Sequence, residues 1–155
     1  MKPALIIIFT CSLISVNAQY NTGDAELNAS LVKIDADASV NFSLFKKDVS
    51  TTFNVSESKI TNWSVQFGMK AGDIYFALEL ARISKKPADE VIKIYSSNKQ
   101  KGWGAIAKDL GIKPGSPEFH ALKGGAGKQA NKGKANPASG KSKDQNKPKG
   151  KGKGN

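Results

Sequence analysis

Few side chains in this sequence have the types and spacing that catalysis or metal binding requires. His120 is the only imidazole and has Glu118 two residues before it, while Cys11 is the only thiol. General acid–base and metal chemistry depend on clusters of His, Cys and carboxylate side chains, and this pattern does not supply one. We therefore predict that the protein is not an enzyme and that it binds no cofactor and no metal.

Two short motifs resemble ligand sites without meeting their requirements. Asp35 and Asp37 are paired carboxylates, but they lack the Gly and the bidentate Glu of a calcium loop, so we expect them to be solvated. The glycine-rich run 124–128 follows no predicted strand and has no Ser or Thr after its lysine, unlike a phosphate-binding P-loop. We predict that this run is the hinge between a domain and a tail.

Lysine is the residue whose distribution indicates a function. The chain has a net charge of +11. Residues 19–122 contain 13 basic and 12 acidic side chains, whereas residues 123–155 contain ten Lys and one Asp. A concentration of positive charge attracts anions. The predicted anion-binding residues are Lys128, Lys132, Lys134, Lys141, Lys143, Lys147, Lys149, Lys151 and Lys153.

The predicted partner is an anionic surface or polymer: phospholipid, lipopolysaccharide, acidic polysaccharide or extracellular nucleic acid. Residues 123–155 contain no Arg and no aromatic side chain, so neither bidentate contacts nor base stacking adds selectivity. We expect binding that is tight at low salt and non-specific. The alternative is a helical protein-interaction module that docks one envelope partner, with a tail that only keeps the chain soluble.

The composition of the C-terminal segment predicts disorder. Residues 123–155 contain no aromatic residue and no Leu, Ile, Val or Met. Such a segment cannot bury enough apolar surface to offset the conformational entropy of folding. We therefore predict a disordered basic tail over residues 123–155.

Residues 1–18 have the features of a cleaved signal peptide. Lys2 precedes an apolar run over residues 4–16, and small residues precede a cleavage site between Ala18 and Gln19. The run is shorter than the roughly 20 residues that span a bilayer. We expect a protein that is secreted or periplasmic and is not transmembrane once the signal is removed.

Helix signals over residues 41–122 predict an all-α domain, a small bundle of about five short helices. Ser56 is placed to cap one helix that ends at Gly68. The run 72–83 is almost continuously apolar, which is typical of a central, buried helix. The last predicted helix ends near Leu122, and both tryptophans are expected in the core.

The N-terminal part of the mature chain is ambiguous. Polar and apolar residues alternate from Lys33 to Leu44, which is the pattern of a strand. Phe42 and Phe45 nevertheless lie at helical spacing, and no partner strand follows. Strand and helix both remain open for residues 31–44, and we expect the segment 19–40 to be weakly structured.

The segment 102–123, GWGAIAKDLGIKPGSPEFHALK, resembles a family of small exported bacterial helical proteins to which no activity is assigned. The sequences NVS at 54–56, GDIY at 72–75 and ALEL at 77–80 are similar to the same family. The resemblance implies export and a helical fold over most of residues 41–123, and it implies no mechanism.

The same segment has some features of a DNA-binding helix-turn-helix, including a Leu-Gly turn between two short helices. The turn is long and contains Pro114 and Pro117, and the second helix carries Glu118 and no Arg. We therefore predict no sequence-specific DNA binding.

Overall fold

The computed structural model of the protein describes residues 20–132. This range contains seven α-helices, a short 3₁₀ turn and no β-strand, which confirms the predicted all-α fold with more helices than the five expected. None of the described helices is long and apolar enough to cross a bilayer. The helices are α1 (Ala25–Val40), α2 (Phe42–Phe53), α3 (Glu57–Phe67), α4 (Ala71–Ser84), α5 (Ala88–Ser97), α6 (Trp103–Asp109) and α7 (Pro117–Lys132).

Helix α4 is the centre of the bundle. All of its residues from Ala71 to Ala81 are buried, and it packs against α1, α2, α3, α5 and α7. Because neighbours cover all its faces, its sequence is an almost continuous apolar run rather than a single stripe. The predicted central helix is confirmed.

Helix α3 begins and ends close to where its capping residues predict. Ser56 caps α3, with its hydroxyl oxygen accepting a hydrogen bond from the Lys59 backbone N–H at 3.4 Å. Gly68 ends the same helix with a φ of 60°, a left-handed conformation that glycine adopts without a steric penalty.

Helix α1 corrects the expectation of weak structure over residues 19–40. Asp24 caps the helix by accepting a hydrogen bond from the Leu27 backbone N–H at 2.8 Å. Along the helix Leu27 and Leu31 are buried against the rest of the bundle. Packing of these side chains against α4 and α7 orders the segment.

The strand-like alternation over residues 31–44 belongs to helices. Ile34 and Ala38 are buried in α1, whereas Ala36 and Val40 are exposed on its other side. The helix therefore carries apolar residues on both its buried and its exposed side. Its hydrophobic pattern loses the 3.6-residue period that identifies an amphipathic helix.

Helix α7 extends beyond the predicted end of the domain at Leu122. It continues to Lys132, with Ala126 and Ala130 buried, and it packs on α1 and α4. Small residues let the helix approach its neighbours closely, so this part of the core needs no large apolar side chain. Residues 123–132 therefore belong to the bundle and not to the predicted tail. The signal peptide predicted over 1–18 and the remaining tail residues 133–155 lie outside the described residues.

Candidate anion-binding surface

Helix α7 gives three lysines of the basic segment fixed positions. Lys123 lies in its middle, and Lys128 and Lys132 lie near its end, four residues apart and so on one face of the helix. The other lysines predicted to bind anions, from Lys134 to Lys153, lie outside the described residues.

Lys123 holds α7 against the start of α1. Its ammonium nitrogen is 2.9 Å from a carboxylate oxygen of Glu26 and 3.0 Å from one of Asp24. Hydrogen bonds to Glu26 and Asp24 raise the pKa of Lys123. Lys123 and Asp24 therefore join the first and last helices of the described chain, and Asp24 does so while it caps α1.

Lys132 is predicted to bind external anions, and the structure pairs it with a carboxylate of the domain. Its ammonium nitrogen lies 2.9 Å and 3.0 Å from the two carboxylate oxygens of Asp48 on α2. The side-chain amide of Gln129 also donates to Asp48, at 2.8 Å. The ion pair forms because α7 continues far enough for Lys132 to reach α2, and the binding of external anions by Lys132 stays a prediction.

Lys128 is exposed, and it forms no ion pair with any residue in the described range. Together with Arg82 and Lys132 it lines a cleft of about 490 Å³ between α4 and α7. Three cationic side chains therefore line one cleft.

The buried carboxylate of Glu79 lines this cleft and forms an ion pair with Arg82. Glu79 accepts hydrogen bonds from Arg82 at 2.6 and 3.0 Å and from the Tyr75 hydroxyl at 3.0 Å. Burial, with the charge of Glu79 second, raises the pKa of Tyr75 far above its usual range, so this hydroxyl stays a donor. Arg82 is paired with Glu79, and Lys132 is paired with Asp48. Lys128 is therefore the cation of the cleft whose charge no described carboxylate balances.

The glycines of α7 do not form the predicted hinge. A Cβ atom on Gly125 would lie 2.7 Å from a carboxylate oxygen of Glu79 and 3.3 Å from the Tyr75 hydroxyl. One on Gly124 or Gly127 would meet nothing within 4 Å. Gly125 therefore lets α7 approach α4 at the cleft.

A second polar cluster, which the sequence analysis missed, connects the N-terminal segment with α4. The Tyr20 hydroxyl donates to one carboxylate oxygen of Asp35, and the Gly72 backbone N–H donates to the other at 2.8 Å. Asp35 is therefore a structural anchor and not the solvated side chain that we expected. Asp37 pairs with Lys33 at 2.7 Å on the surface of α1. No local sequence pattern could have revealed the partners of Asp35, since they come from distant parts of the chain.

Asp73 is the centre of the neighbouring part of this cluster. It accepts a hydrogen bond from the Trp103 indole N–H at 2.8 Å and one from the Lys70 backbone N–H at 3.0 Å. Burial raises the pKa of Asp73. Tyr95 stacks on Trp103 with ring centroids 4.3 Å apart. Trp63 and Trp103 are both buried, which confirms their predicted place in the core.

A cleft of about 340 Å³ lies beside Asp73, but the polar groups of the cluster are committed to the protein itself. In the described range, each buried side-chain nitrogen or oxygen has a hydrogen-bond partner. The cluster therefore holds α4 and α6 to the N-terminal segment and leaves no buried donor or acceptor for a ligand.

His120 and Glu118 are both exposed on α7. Among residues 20–132, no group of three or more His, Cys, Asp or Glu side chains is placed to hold a metal ion. No protein-family model, curated protein or solved structure matches the chain. The resemblance to small exported bacterial proteins therefore remains a prediction, and the arrangement of the lysines carries the functional argument.

Proposed function

We propose that the protein is an exported, non-enzymatic binding protein whose lysine-rich C-terminal segment holds anionic material non-specifically. The candidates are phospholipid, lipopolysaccharide, acidic polysaccharide and extracellular nucleic acid. The observation that carries the proposal is the separation of charge: ten Lys and one Asp over residues 123–155, after a stretch with 13 basic and 12 acidic side chains.

The ion pairs of α7 support the proposal that some of these lysines stabilise the domain and others bind anions. Lys123 and Lys132 hold α7 to α1 and α2, so they contribute to the domain. Lys128 is exposed at the cleft. Residues 133–155 add seven Lys against a single Asp, and we assign the main anion-binding role to them.

Electrostatic attraction alone is strong enough for this role. Each lysine near an anionic membrane contributes about 1 kcal/mol, so several acting together exceed thermal energy many times. On duplex DNA, neutralising roughly six phosphates gives a slope near −5 for the logarithm of affinity against the logarithm of salt concentration. The absence of Arg and aromatic residues from the segment favours non-specific binding.

The alternative is a helical module that docks one protein partner, and an exposed apolar groove near Val40 and Leu44 favours it. Such docking depends on apolar contact, which salt does not screen. Its characteristic would be binding that survives both high salt and the loss of the lysines after Lys132.

The direct test replaces the seven lysines after Lys132 with Gln in the full chain. A fluorescent duplex DNA serves as a polyanion, at about 50 mM salt. We expect the Gln variant to bind at least about tenfold more weakly, because each phosphate contact contributes to affinity through counterion release. Equal binding by the variant and the unmodified chain would contradict the proposal.

A further inference from the structure

The cleft between α4 and α7 has one net positive charge among the residues that the structure describes. Its cationic lining residues are Arg82, Lys128 and Lys132, and its carboxylate is that of Glu79. Glu79 pairs with Arg82, and Asp48 of α2 pairs with Lys132. The three cations and these two carboxylates leave one positive charge, which Lys128 carries.

Arg82 retains hydrogen-bond donors that a ligand can use. Its Nε and Nη2 atoms donate to one carboxylate oxygen of Glu79, at 3.0 and 2.6 Å, and its Nη1 atom donates to no described residue. A guanidinium has five N–H groups, so three remain after these two hydrogen bonds. The Arg82 side chain is 56% exposed. The rest of the guanidinium can therefore bind a second acceptor.

Buried contacts hold this guanidinium in one orientation. Glu79 is 5% exposed, and its other carboxylate oxygen accepts a hydrogen bond from the Tyr75 hydroxyl at 3.0 Å. Tyr75 is itself buried and packs edge-to-face with Phe53. A binding group whose partners are fixed by packing loses little conformational freedom when a ligand arrives. Arg82 is therefore in place before an anion binds.

The α7 side of the cleft leaves room for a small molecule. Gly124 and Gly125 line it together with Ala121, and a Cβ atom on Gly124 would meet nothing within 4 Å. The volume of about 490 Å³ lies within the range of roughly 300–1,000 Å³ that is typical of small-molecule sites. The cleft therefore combines space with an uncompensated charge.

We propose that this cleft binds the carboxylate group of a small organic acid between Arg82 and Lys128. The guanidinium donates paired hydrogen bonds to the carboxylate, and the ammonium group of Lys128 supplies the balancing charge. The site consists of described residues alone. It goes beyond the non-specific binding that we assign to residues 133–155, and it does not depend on that binding.

The net charge of the cleft favours a carboxylate over a phosphate monoester. A carboxylate carries one negative charge, which cancels the net charge of the cleft. A phosphate monoester carries roughly two negative charges at pH 7, so it would leave one negative charge unbalanced beside the buried Glu79. The cleft is therefore expected to select a singly charged acid.

The test titrates the full mature chain with three sugar derivatives and follows binding by NMR. Glucuronate carries a carboxylate, glucose carries no charge, and glucose 6-phosphate carries a phosphate monoester. We expect glucuronate to bind at one saturable site, to shift the amide signals of Gly124, Gly125 and Lys128, and to bind at least about tenfold more tightly than the other two. Equally tight binding of glucose or glucose 6-phosphate would overturn the inference, and so would shifts confined to other residues.

Two glycine variants test the location of the site without removing a charge. Gly124→Met places a side chain in the cleft, whereas the control Gly127→Met adds one at a glycine that does not line it. A Cβ atom meets nothing within 4 Å at either position, and Met is the better helix former, so both variants keep the fold. We expect Gly124→Met to remove glucuronate binding and Gly127→Met to retain it. Equal binding by the two variants would overturn the inference.

Lys128→Gln tests the charge of the site. It should weaken glucuronate binding by about tenfold, because it removes a charged hydrogen-bond donor and the net charge of the cleft. Lys113→Gln is the matched control, since Lys113 is also exposed and forms no ion pair with a described residue, but does not line the cleft. The same affinity for glucuronate in both variants would contradict the site.

The failure of this inference is distinguishable from that of the proposed function. The variant with Gln at the seven lysines after Lys132 should bind glucuronate as tightly as the unmodified chain, and a loss there would overturn the inference. Should glucuronate not bind while DNA binding depends on those lysines, the inference falls and the proposed function stands. Should glucuronate bind while that variant binds DNA normally, the proposed function falls and the inference stands.

Discussion

Gly125 and Asp24 are two residues whose side chains decide how α7 packs. Gly125 has no Cβ atom, and Asp24 has a carboxylate that contacts both α1 and α7. Gly125 faces Glu79, whose carboxylate is already held by Arg82 and Tyr75 and has little freedom to move away. Asp24 caps α1 and pairs with Lys123 of α7 through the same carboxylate. Both residues connect parts of the chain that are distant in sequence.

Gly125→Ala and Gly124→Ala should affect stability in opposite directions. Alanine is the better helix former by about 1 kcal/mol, so Gly124→Ala, with open space around the new methyl group, should raise the free energy of unfolding by up to that amount. Gly125→Ala places a methyl group against Glu79, and the overpacking cost of about 1–3 kcal/mol should outweigh that gain. Unfolding by urea measures the free energy of unfolding of both variants. Equal stabilisation by the two substitutions would show that α7 does not approach α4 closely.

Asp24→Ala should destabilise the protein at neutral pH by about 1 kcal/mol, the usual cost of losing an N-cap. A hydrogen bond from the Leu27 backbone N–H, with Lys123 contributing, holds the pKa of Asp24 below its ordinary 3.8. A lowered pKa stabilises the fold above pH 3.8 and ceases to do so as the pH falls through the folded value. The difference between the two proteins should therefore shrink in strong acid.

Asn at the same position is the matched control, because it remains a good N-cap but carries no charge. Asp24→Asn should lose less stability than Asp24→Ala at neutral pH. Unfolding by urea across the acidic range measures all three proteins. A difference between Asp24→Ala and the unmodified chain that stays constant down to the lowest pH would contradict the assignment.

At the scale of elements, the sequence predicts the helices whose ends have capping residues and whose faces differ in polarity. Ser56 and Gly68 mark α3, and the continuous apolar run marks α4. Helix α1 was not predicted because Ala36 and Val40 make its exposed side partly apolar, so its two sides do not differ clearly in polarity. The end of α7 was not predicted because it packs through glycine and alanine. A segment rich in these residues has the composition of a disordered tail.

Only the part of the candidate surface that depends on composition could be predicted from the sequence. The concentration of lysine is visible in the sequence, and from it we predict an anionic partner. The pairing of Lys132 with Asp48 depends on α7 reaching α2, and no short-range pattern encodes that contact. The Asp35 and Asp73 cluster likewise depends on tertiary contacts.

Truncations test where the folded domain ends. A chain that ends after Lys132 should unfold at the same urea concentration as the full chain, because the described helices stay complete. A chain that ends after Leu122 exposes the surface that Ala126 and Ala130 cover and loses the ion pair with Asp48. We expect it to be less stable by about 2 kcal/mol or more. Equal stability of the two truncated chains would contradict the described end of α7.

At the scale of the whole molecule, the chain combines a helical domain over residues 20–132, which has 16 basic and 12 acidic side chains, with the segment 133–155, which has seven Lys and one Asp. The N-terminal segment is proposed to direct export. The mature protein should therefore begin at Gln19, and mass spectrometry of material recovered from outside the cell measures this directly. An intact Met1 on exported protein would contradict cleavage.

The salt dependence of DNA binding tests the central claim most directly. Affinity is measured over a series of salt concentrations for the full mature chain and for the chain that ends after Lys132. We predict a log–log slope near −5 for the full chain, from roughly six neutralised phosphates, and a slope close to zero with weak binding for the shortened chain. The same steep slope for both chains would contradict the account, because the helical domain would then carry the binding that we assign to residues 133–155.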